Sequence, residues 1–227
     1  MDKTLNNFQK YIILWGGTGQ AKIARPIIEY YGGEIIAIFD DTPNLIAPFS
    51  DIPLFHGSEF PSWISKQNKK FGFCITIGNP HGRIRIKLHN CLKKYGLYPI
   101  TIIHPSAIIE KDVNIGDGTQ IMAGVILNTG VTIGEQCIIN THSSIDHECI
   151  LLDGVEISPG SILCGLVTVK TNAWICAGAI VLPNITIEED AIVGAGSVVI
   201  KNVERKSVVV GLPAKHIKYI ENGDKNV

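Results

Sequence analysis

A six-residue repeat runs without interruption from Ala107 to Asn202. All sixteen consecutive hexads carry Ile, Leu or Val at the third position, and the first position is always small or β-branched. A period of six fits neither the 3.6 residues per turn of an α-helix nor simple two-residue alternation. It predicts short strands separated by corners, so that three hexads close one triangular coil. Residues eighteen positions apart then stack at the spacing of paired strands, about 4.8 Å.

The corners of this coil should be marked by residues that tolerate unusual backbone angles. Glycine, asparagine and aspartate recur at the fourth position of the hexads, and we expect a positive φ there. The residues that carry this expectation are Gly116, Gly134, Asn140, Asp146 and Gly194.

Residues 1–105 lack the repeat and alternate between apolar runs and helical patterns. This alternation predicts an α/β domain with a small parallel sheet, whose ligands bind at the carboxyl ends of the strands. The predicted strands are Tyr11–Gly17, Glu34–Asp41, Phe73–Pro80 and Tyr98–Pro105, and the predicted helices are Gly19–Tyr31 and His81–Tyr95.

The ends of these strands carry a candidate nucleotide site. The first strand runs into a glycine turn at residues 16–20, and two acids follow the second strand about twenty residues later. The turn is only a partial phosphate-binding signature, since it lacks a third glycine and an ordinary tight turn is the alternative. A sheet this small suits a mononucleotide, such as the UDP or dTDP of a sugar nucleotide. The candidate residues are Thr18, Gly19, Gln20, Asp40, Asp41, Gly78, Asn79 and Arg83.

Composition excludes several other classes of protein. Twenty Lys and Arg balance twenty-one Asp and Glu, so nothing favours nucleic acid or an anionic membrane as a partner. The six cysteines form no C-x-x-C pair and are expected to be reduced. No signal core or long apolar segment is visible, which predicts a cytoplasmic protein.

The most polar part of the coil, residues 140–149, carries the candidate chemistry. His147 lies between two acids after the inward Ile145, and Gly165 stacks one coil further on, leaving room for a slim ligand. A histidine oriented by a carboxylate can act as general base in acyl transfer to an amine. The alternatives are a polar interface residue and a metal site, the latter disfavoured because His142 and His147 have no evident third ligand.

Several motifs together resemble one known family, the sialic-acid O-acetyltransferase and bacillosamine-pathway N-acetyltransferase type of hexapeptide-repeat sugar acyltransferases. The resemblance spans Lys10 to Ile220. It implies a left-handed parallel β-helix, a homotrimer and acetyl-CoA as co-substrate, bound in the groove between neighbouring β-helices of the trimer. The motifs are IILWGGTGQAK, IFDD, TIGNPHGR, NTHSSIDHEC, EISPGSILCG and VVGLPAKHI.

The resemblance also assigns roles to particular residues. It implies that His147 is the general base, that Glu148 increases its basicity and that Asn140 lies close by. The nucleotide is expected at Thr18–Gln20, Asp40, Asp41 and Gly78. The acetyl-CoA contacts are expected at Gly165, Ala177, Ala195 and Lys215.

Two positions depart from the family pattern. Gln20 replaces a common histidine of the first loop, so the sugar contact there can differ. Glu156 stands where some members place a histidine against the acetyl carbonyl, and a carboxylate cannot donate there unless it is protonated. Position 156 remains a candidate acetyl-CoA position, but we expect the Glu156 side chain to point elsewhere and backbone N–H groups to hold the carbonyl.

The sequence therefore predicts a sugar-nucleotide domain at 1–105, a β-helix at 106–220 and a disordered tail at 221–227. The predicted function is acetylation of the amino group of a UDP- or dTDP-linked 4-amino-4,6-dideoxy sugar for polysaccharide biosynthesis, with no metal. The amine attacks acetyl-CoA directly, because Cys149 falls at an inward position of its hexad. The alternatives are O-acetylation of a sialic-acid-type sugar and a non-catalytic scaffold that binds a sugar nucleotide.

Overall fold

A computed structural model describes residues 10–221, and these residues divide into two compact units. The first unit contains residues 10–78 and 87–102, and the second contains residues 79–86 and 103–221. The sequence did not indicate that 79–86 groups with the coil. Of the predicted disordered tail, all but Glu221 lies outside the described residues.

The first unit is built on a five-stranded sheet in the order β3-β2-β1-β4-β5, with every pair parallel. The strands are β1 Tyr11–Trp15, β2 Glu34–Phe39, β3 Leu54–Phe55, β4 Gly72–Ile75 and β5 Tyr98–Pro99. The helices are α1 Gly19–Tyr30, a 3-10 turn Gly57–Glu59, α2 Phe60–Ile64 and α3 Gly82–Lys94. An aromatic cluster that includes Trp15, Phe39 and Phe60 packs beside the sheet.

The predicted small parallel sheet is confirmed, with two differences in its elements. The single strand predicted over Tyr98–Pro105 is wrong, because the chain forms β5 and then a separate strand β6, Ile102–Ile103. Strand β3 and helix α2 were not predicted. They are only two and five residues long, too short to show a periodic pattern of apolar residues.

The second unit is the expected left-handed parallel β-helix. Each of the sixteen hexads forms a two-residue strand at its second and third positions. These strands are β7 Ile108–Ile109, β8 Asn114–Ile115, β9 Gln120–Ile121, β10 Ile126–Leu127, β11 Thr132–Ile133, β12 Ile138–Ile139, β13 Ser144–Ile145, β14 Ile150–Leu151, β15 Glu156–Ile157, β16 Ile162–Leu163, β17 Thr168–Val169, β18 Trp174–Ile175, β19 Ile180–Val181, β20 Thr186–Ile187, β21 Ile192–Val193 and β22 Val198–Val199.

Each strand pairs in register with the strand three places later in the chain, so the β-helix has three faces. Face one contains β7, β10, β13, β16, β19 and β22; face two contains β8, β11, β14, β17 and β20; face three contains β9, β12, β15, β18 and β21. The three residues that follow each strand form a corner. We number the corner after the face to which that strand belongs, so corner one follows face one. Third-position side chains fill the interior, and from Ile121 to Val199 all of them are buried.

The expected place of positive φ within the corners is wrong. The sixth position of the hexad, not the fourth, has a positive φ in fourteen of the sixteen hexads. Glycine stands at the fourth position for lack of space instead, since a Cβ on Gly116 would lie 2.4 Å from the Gly134 carbonyl carbon. A Cβ on Gly194 would lie 2.6 Å from Val210 Cγ1.

The coil ends in an antiparallel hairpin that the six-residue repeat did not predict. Strand β23 (Ser207–Gly211) pairs with β21 and continues face three, and β24 (Ala214–Tyr219) pairs back onto β23. Among the described residues, no helix has the length and apolar character needed to cross a membrane.

Candidate active site

His147 and Glu148 lie together at corner one, on the surface of the coil. His147 Nδ1 donates to Glu148 Oε2 at 3.1 Å, and both side chains are exposed. A carboxylate only accepts hydrogen bonds, so it fixes the proton of the neutral ring on Nδ1. Nε2 then carries the lone pair that can accept a proton from a substrate.

The backbone around His147 is held by two residues that stack on neighbouring coils. Asp146 Oδ1 accepts from the backbone N–H of His147 at 2.8 Å and from Asn128 Nδ2 at 2.9 Å. These hydrogen bonds, that of the His147 backbone first, hold the pKa of Asp146 below its ordinary value. Asn128 was not predicted as part of this site. It lies eighteen residues before Asp146 and therefore stacks against it on the preceding coil.

Gly165 lies against the ring of His147, as the spacing of eighteen residues predicts. A Cβ on Gly165 would lie 2.3 Å from His147 Nε2 and 2.5 Å from Cε1, which is far inside contact distance. Gly165 does not have a positive φ, so space and not backbone conformation requires glycine at this position.

Asn140 lies at corner three, separated from corner one by strand β13, and it contacts Glu156 instead of His147. Asn140 Nδ2 donates to Glu156 Oε1 at 3.2 Å, and both residues are 8% exposed. The structure therefore divides the predicted catalytic residues between two corners of one chain.

Glu156 is buried beside Arg85, a residue that the sequence did not single out. Arg85 Nη1 lies 3.7 Å from Glu156 Oε2, and its other nitrogens donate to the carbonyls of Gln136 and Gly154, each at 2.9 Å. Burial raises the pKa of Glu156 above its ordinary value, and the charge of Arg85 opposes that rise. No sequence pattern marks Arg85, because the coil segments that it contacts lie 51 and 69 residues away.

The acids after β2 are placed differently from each other. Asp40 uses both oxygens to accept from Gly17 N at 2.6 Å and Thr42 N at 2.7 Å. Burial alone would raise the pKa of Asp40, but these hydrogen bonds lower it. Asp41 accepts from Gly57 N at 3.0 Å and lies 3.5 Å from His56 Nε2, with its carboxylate largely exposed. Asp40 thus holds the glycine turn, whereas Asp41 can still meet a ligand.

The glycine turn opens helix α1 as predicted. Thr18 is the N-cap without a side-chain capping bond, and Thr18 and Gly19 are exposed. Gly78 lies after β4, and a Cβ built on it would meet no atom within 4 Å. The N-terminus of a helix with exposed backbone N–H groups is chemically suited to a phosphate.

Arg83 is engaged within the chain, and its predicted contact with substrate stays a prediction. Its guanidinium pairs with Glu189 and, at 2.8 Å, with Asp190 at corner two. Its backbone N–H donates to Asn172 Oδ1 at 2.9 Å. These bonds fasten residues 79–86 to the coil and engage the group that was expected to meet substrate.

The remaining predicted acetyl-CoA residues lie on the surface. Ala177 and Ala195 are exposed at corner three, and Lys215 is exposed on β24. Cys149 is buried, and burial raises the pKa of its thiol to about 11, which suits neither a nucleophile nor a metal ligand. Within residues 10–221, no group of three or more His, Cys, Asp or Glu is placed to hold a metal ion.

Comparison with known proteins gives one family model and several similar chains. Residues 112–147 match the bacterial transferase hexapeptide (six repeats) family. GDP-perosamine N-acetyltransferase of Escherichia coli O157:H7 is 34% identical over 113 residues, which is half of this chain and half of that protein.

Two solved structures cover nearly the whole chain. GDP-perosamine N-acetyltransferase of Caulobacter crescentus, a histidine variant in complex with CoA and GDP-perosamine, is 32% identical with a TM-score of 0.84. The match covers 91% of this chain and 96% of that one. The acetyltransferase domain of PglB from Neisseria gonorrhoeae, in complex with acetyl coenzyme A, is 26% identical over 92% of this chain and 100% of that one, with a TM-score of 0.82.

Proposed function

Because this chain belongs to the hexapeptide-repeat sugar acyltransferase family, we propose that it transfers an acetyl group from acetyl-CoA to the amino group of a nucleotide-linked sugar. The observation that carries this proposal is the His147–Glu148 pair, whose ring nitrogen Nε2 lies over Gly165. This arrangement supplies an exposed base, whose ring fills the space over Gly165. Acyl transfer to an amine needs such a base.

The acceptor that we propose is a 4-amino-4,6-dideoxy sugar on a nucleoside diphosphate. Both GDP-perosamine N-acetyltransferases among the relatives favour GDP as the nucleotide. The sequence alone led to UDP or dTDP, and these nucleotides remain arms of the test below.

The chemistry that we propose is direct transfer. Nε2 of His147 takes a proton from the acceptor amine as its nitrogen attacks the thioester carbonyl. The C–S bond then breaks, and the CoA thiolate takes up the proton from Nε2 of His147, which returns the ring to its neutral state. Glu148 accepts the hydrogen bond from Nδ1 and stabilises the imidazolium that forms, while backbone N–H groups hold the oxyanion.

We further propose that three copies of the chain assemble around face one, with the donor bound between neighbours. Face one carries exposed Ile108, Ile126 and Ile162, an apolar stripe of the kind that marks protein contacts. His147 and Asn140 lie at different corners of one chain, so a site that contains both of them requires a second copy. Gly165, Ala177, Ala195 and Lys215 are the proposed contacts of the donor.

The experiment is thiol release from acetyl-CoA with a panel of acceptors. The panel contains GDP-perosamine, UDP- and dTDP-linked 4-amino sugars, a UDP-linked 3-amino sugar and free sialic acid. We expect release with one nucleotide-linked 4-amino sugar. We expect His147→Ala to lower kcat by roughly 100- to 10,000-fold, which is the usual contribution of a general base.

The matched control is His142→Ala, because His142 is also exposed on the coil, at the preceding corner. It should leave kcat unchanged. Release with sialic acid alone would move the protein to O-acetylation. If an acceptor binds but no member of the panel causes thiol release from acetyl-CoA, the result would instead favour the non-catalytic scaffold.

A further inference from the structure

Asp146, the residue before His147, has no role in the proposed transfer, yet it is tied into the coil at corner one. Its Oδ1 accepts two hydrogen bonds, from the backbone N–H of His147 at 2.8 Å and from Asn128 Nδ2 at 2.9 Å. Its own N–H donates to the carbonyl of Leu163 at 2.9 Å. Asp146 is therefore fixed to the preceding coil by its side chain and to the following coil by its backbone.

The charge of Asp146 strengthens this attachment. The hydrogen bond from the His147 backbone, followed by that from Asn128, holds the pKa of Asp146 below its ordinary value. The carboxylate is therefore ionised at neutral pH. Hydrogen bonds to an ionised acceptor are the stronger kind, so the carboxylate holds the N–H of His147 firmly.

The main chain of His147 is engaged on both sides. Its N–H is taken by Asp146, and its carbonyl accepts from the backbone N–H of Leu166 at 2.9 Å. The next residue, Glu148, has a φ of 56°, and its N–H donates to the carbonyl of Thr129 at 2.9 Å. Because the main chain sets the direction of the Cα–Cβ bond and the rotamers that it allows, these contacts decide where the ring of His147 points.

The side-chain contacts of His147 cannot fix the ring by themselves. Its Nδ1 donates to Glu148 Oε2 at 3.1 Å, but the two side chains are 47% and 63% exposed. An exposed pair of this kind holds its geometry only weakly. The position of Nε2 against Gly165 therefore depends on the main chain below it.

We infer that Asp146 and Asn128 are positioning residues for the proposed base. Asp146 fixes the main chain at His147, Asn128 holds the Asp146 carboxylate from the preceding coil, and neither residue touches a substrate. This inference rests on the proposed function and deepens it, because it adds two residues to the parts that the reaction requires.

The test combines steady-state kinetics with crystal structures of variants of the full-length protein. Asp146→Ala removes the acceptor of the His147 N–H, Asp146→Asn keeps an oxygen in its place, and Asn128→Ala removes only the hydrogen bond from the preceding coil. The matched control is Asp153→Ala. Asp153 Oδ1 likewise accepts from a backbone N–H, that of Glu135 at 2.8 Å, but it does so at corner two.

We expect Asp146→Ala to move Nε2 of His147 by about 1 Å and to lower kcat roughly 100-fold, with the KM of both substrates unchanged. Asp146→Asn should restore most of this loss, since its amide oxygen can accept the same two hydrogen bonds. Asn128→Ala should move the ring and lower kcat to a smaller extent. The double variant should be no slower than Asp146→Ala, because Asn128 acts through Asp146.

The control separates positioning from a general loosening of the coil. Asp153→Ala should lower the melting temperature and leave both kcat and the ring of His147 unchanged. An equal loss of kcat in Asp153→Ala and Asp146→Ala would overturn the inference. Wild-type kcat or an unmoved ring in Asp146→Ala would overturn it as well, and Asn128→Ala decides the question in the same way if Asp146→Ala does not fold.

The crystal structures keep this test independent of the proposed function. A displaced ring in Asp146→Ala, together with a wild-type protein that transfers no acetyl group, would keep the positioning of His147 and refute the acetyl transfer. An unmoved ring in an active Asp146→Ala variant would do the reverse. A double variant that is slower by the product of the two single effects would remove Asn128 from the arrangement.

Discussion

Gly165 owes its lack of a side chain to the histidine that lies against it. Gly165→Ala places a methyl group 2.3 Å from the present position of His147 Nε2, so the ring has to move. We expect kcat to fall roughly 100-fold, as for a displacement of about 1 Å at a catalytic group. The backbone conformation at position 165 accepts alanine, so the melting temperature should change little.

Lys111→Ala is the matched control, because Lys111 holds the same position in the hexad at corner one, three coils earlier. Its activity should equal that of the wild type. Full activity of Gly165→Ala would show that the ring of His147 works from another position.

Leu166 is held in a conformation that disfavours its side chain. Its φ is 62°, and 44% of the residue is exposed. Asparagine tolerates this region better, so Leu166→Asn should stabilise the protein by about 1 kcal/mol. The melting temperature should rise by about 2–4 °C. We also expect a higher KM for acetyl-CoA, because the exposed leucine adjoins a proposed donor contact.

Leu182→Asn provides the comparison for this variant. Leu182 is 37% exposed at the same corner, one coil later, without a positive φ. It should gain no stability, and a fall in the melting temperature of Leu166→Asn would mean that packing outweighs strain at that position.

The sequence predicted contacts that the repeat itself encodes and missed those that it does not. The pairing of His147 with Gly165 follows from a spacing of eighteen residues. The pairing of Arg85 with Glu156 joins a helix start to a strand of the coil, and no periodicity relates the two. Asp40 was correctly placed at the end of β2, but its use in holding the Gly17 turn depends on loop geometry that composition does not show.

The strands of the coil were predictable to the residue, whereas its corners were not. Burial at the third position repeats in the sequence, so each strand could be located from one position of the hexad. Positive φ at the sixth position is shared among Gly, Asn, Asp, His, Glu, Gln and Leu, and this variety hides the pattern. The hairpin β23–β24 lies after Asn202, where the six-residue repeat ends, so the repeat cannot indicate it.

The segment 79–86 is fastened to the coil by a pH-sensitive ion pair. Burial alone would raise the pKa of Asp190, but hydrogen bonds from Arg83 and Asn172 and the charge of Arg83 lower it. Because the folded-state pKa is the lower one, this stabilisation is complete above the unfolded pKa of about 4 and is lost as the pH falls through the folded value. Asp190→Asn should therefore lose less stability than the wild type between pH 5 and pH 3.

Thermal unfolding across this pH range checks the expectation. Asp117→Asn is the control, since the exposed Asp117 lies at the same corner and makes no side-chain hydrogen bond with the described residues. It should follow the wild type. If Asp190→Asn also follows the wild type, this ion pair does not contribute to acid sensitivity.

The assembly that we propose depends on the apolar stripe of face one. Ile126→Lys introduces a charge at a position that is 37% exposed, and we expect it to break the trimer into monomers and abolish activity. Ile150→Lys makes the same change at a residue that is 44% exposed on face two. It should keep the trimer. Light scattering after size-exclusion chromatography distinguishes the two, and a trimeric Ile126→Lys would contradict the proposed interface.

The coil also constrains how this chain can change in length. Three hexads, or eighteen residues, return the chain to the same corner. After an insertion or deletion, the later residues therefore keep their corners only if its length is a multiple of eighteen. Loss of eighteen residues after Gly165 would shorten the molecule and leave each later side chain at its own corner. Loss of six would move each of them by one third of a turn, carrying Ala177 and Ala195 to a different corner. Insertions and deletions that preserve the proposed site should therefore add or remove whole coils of eighteen residues.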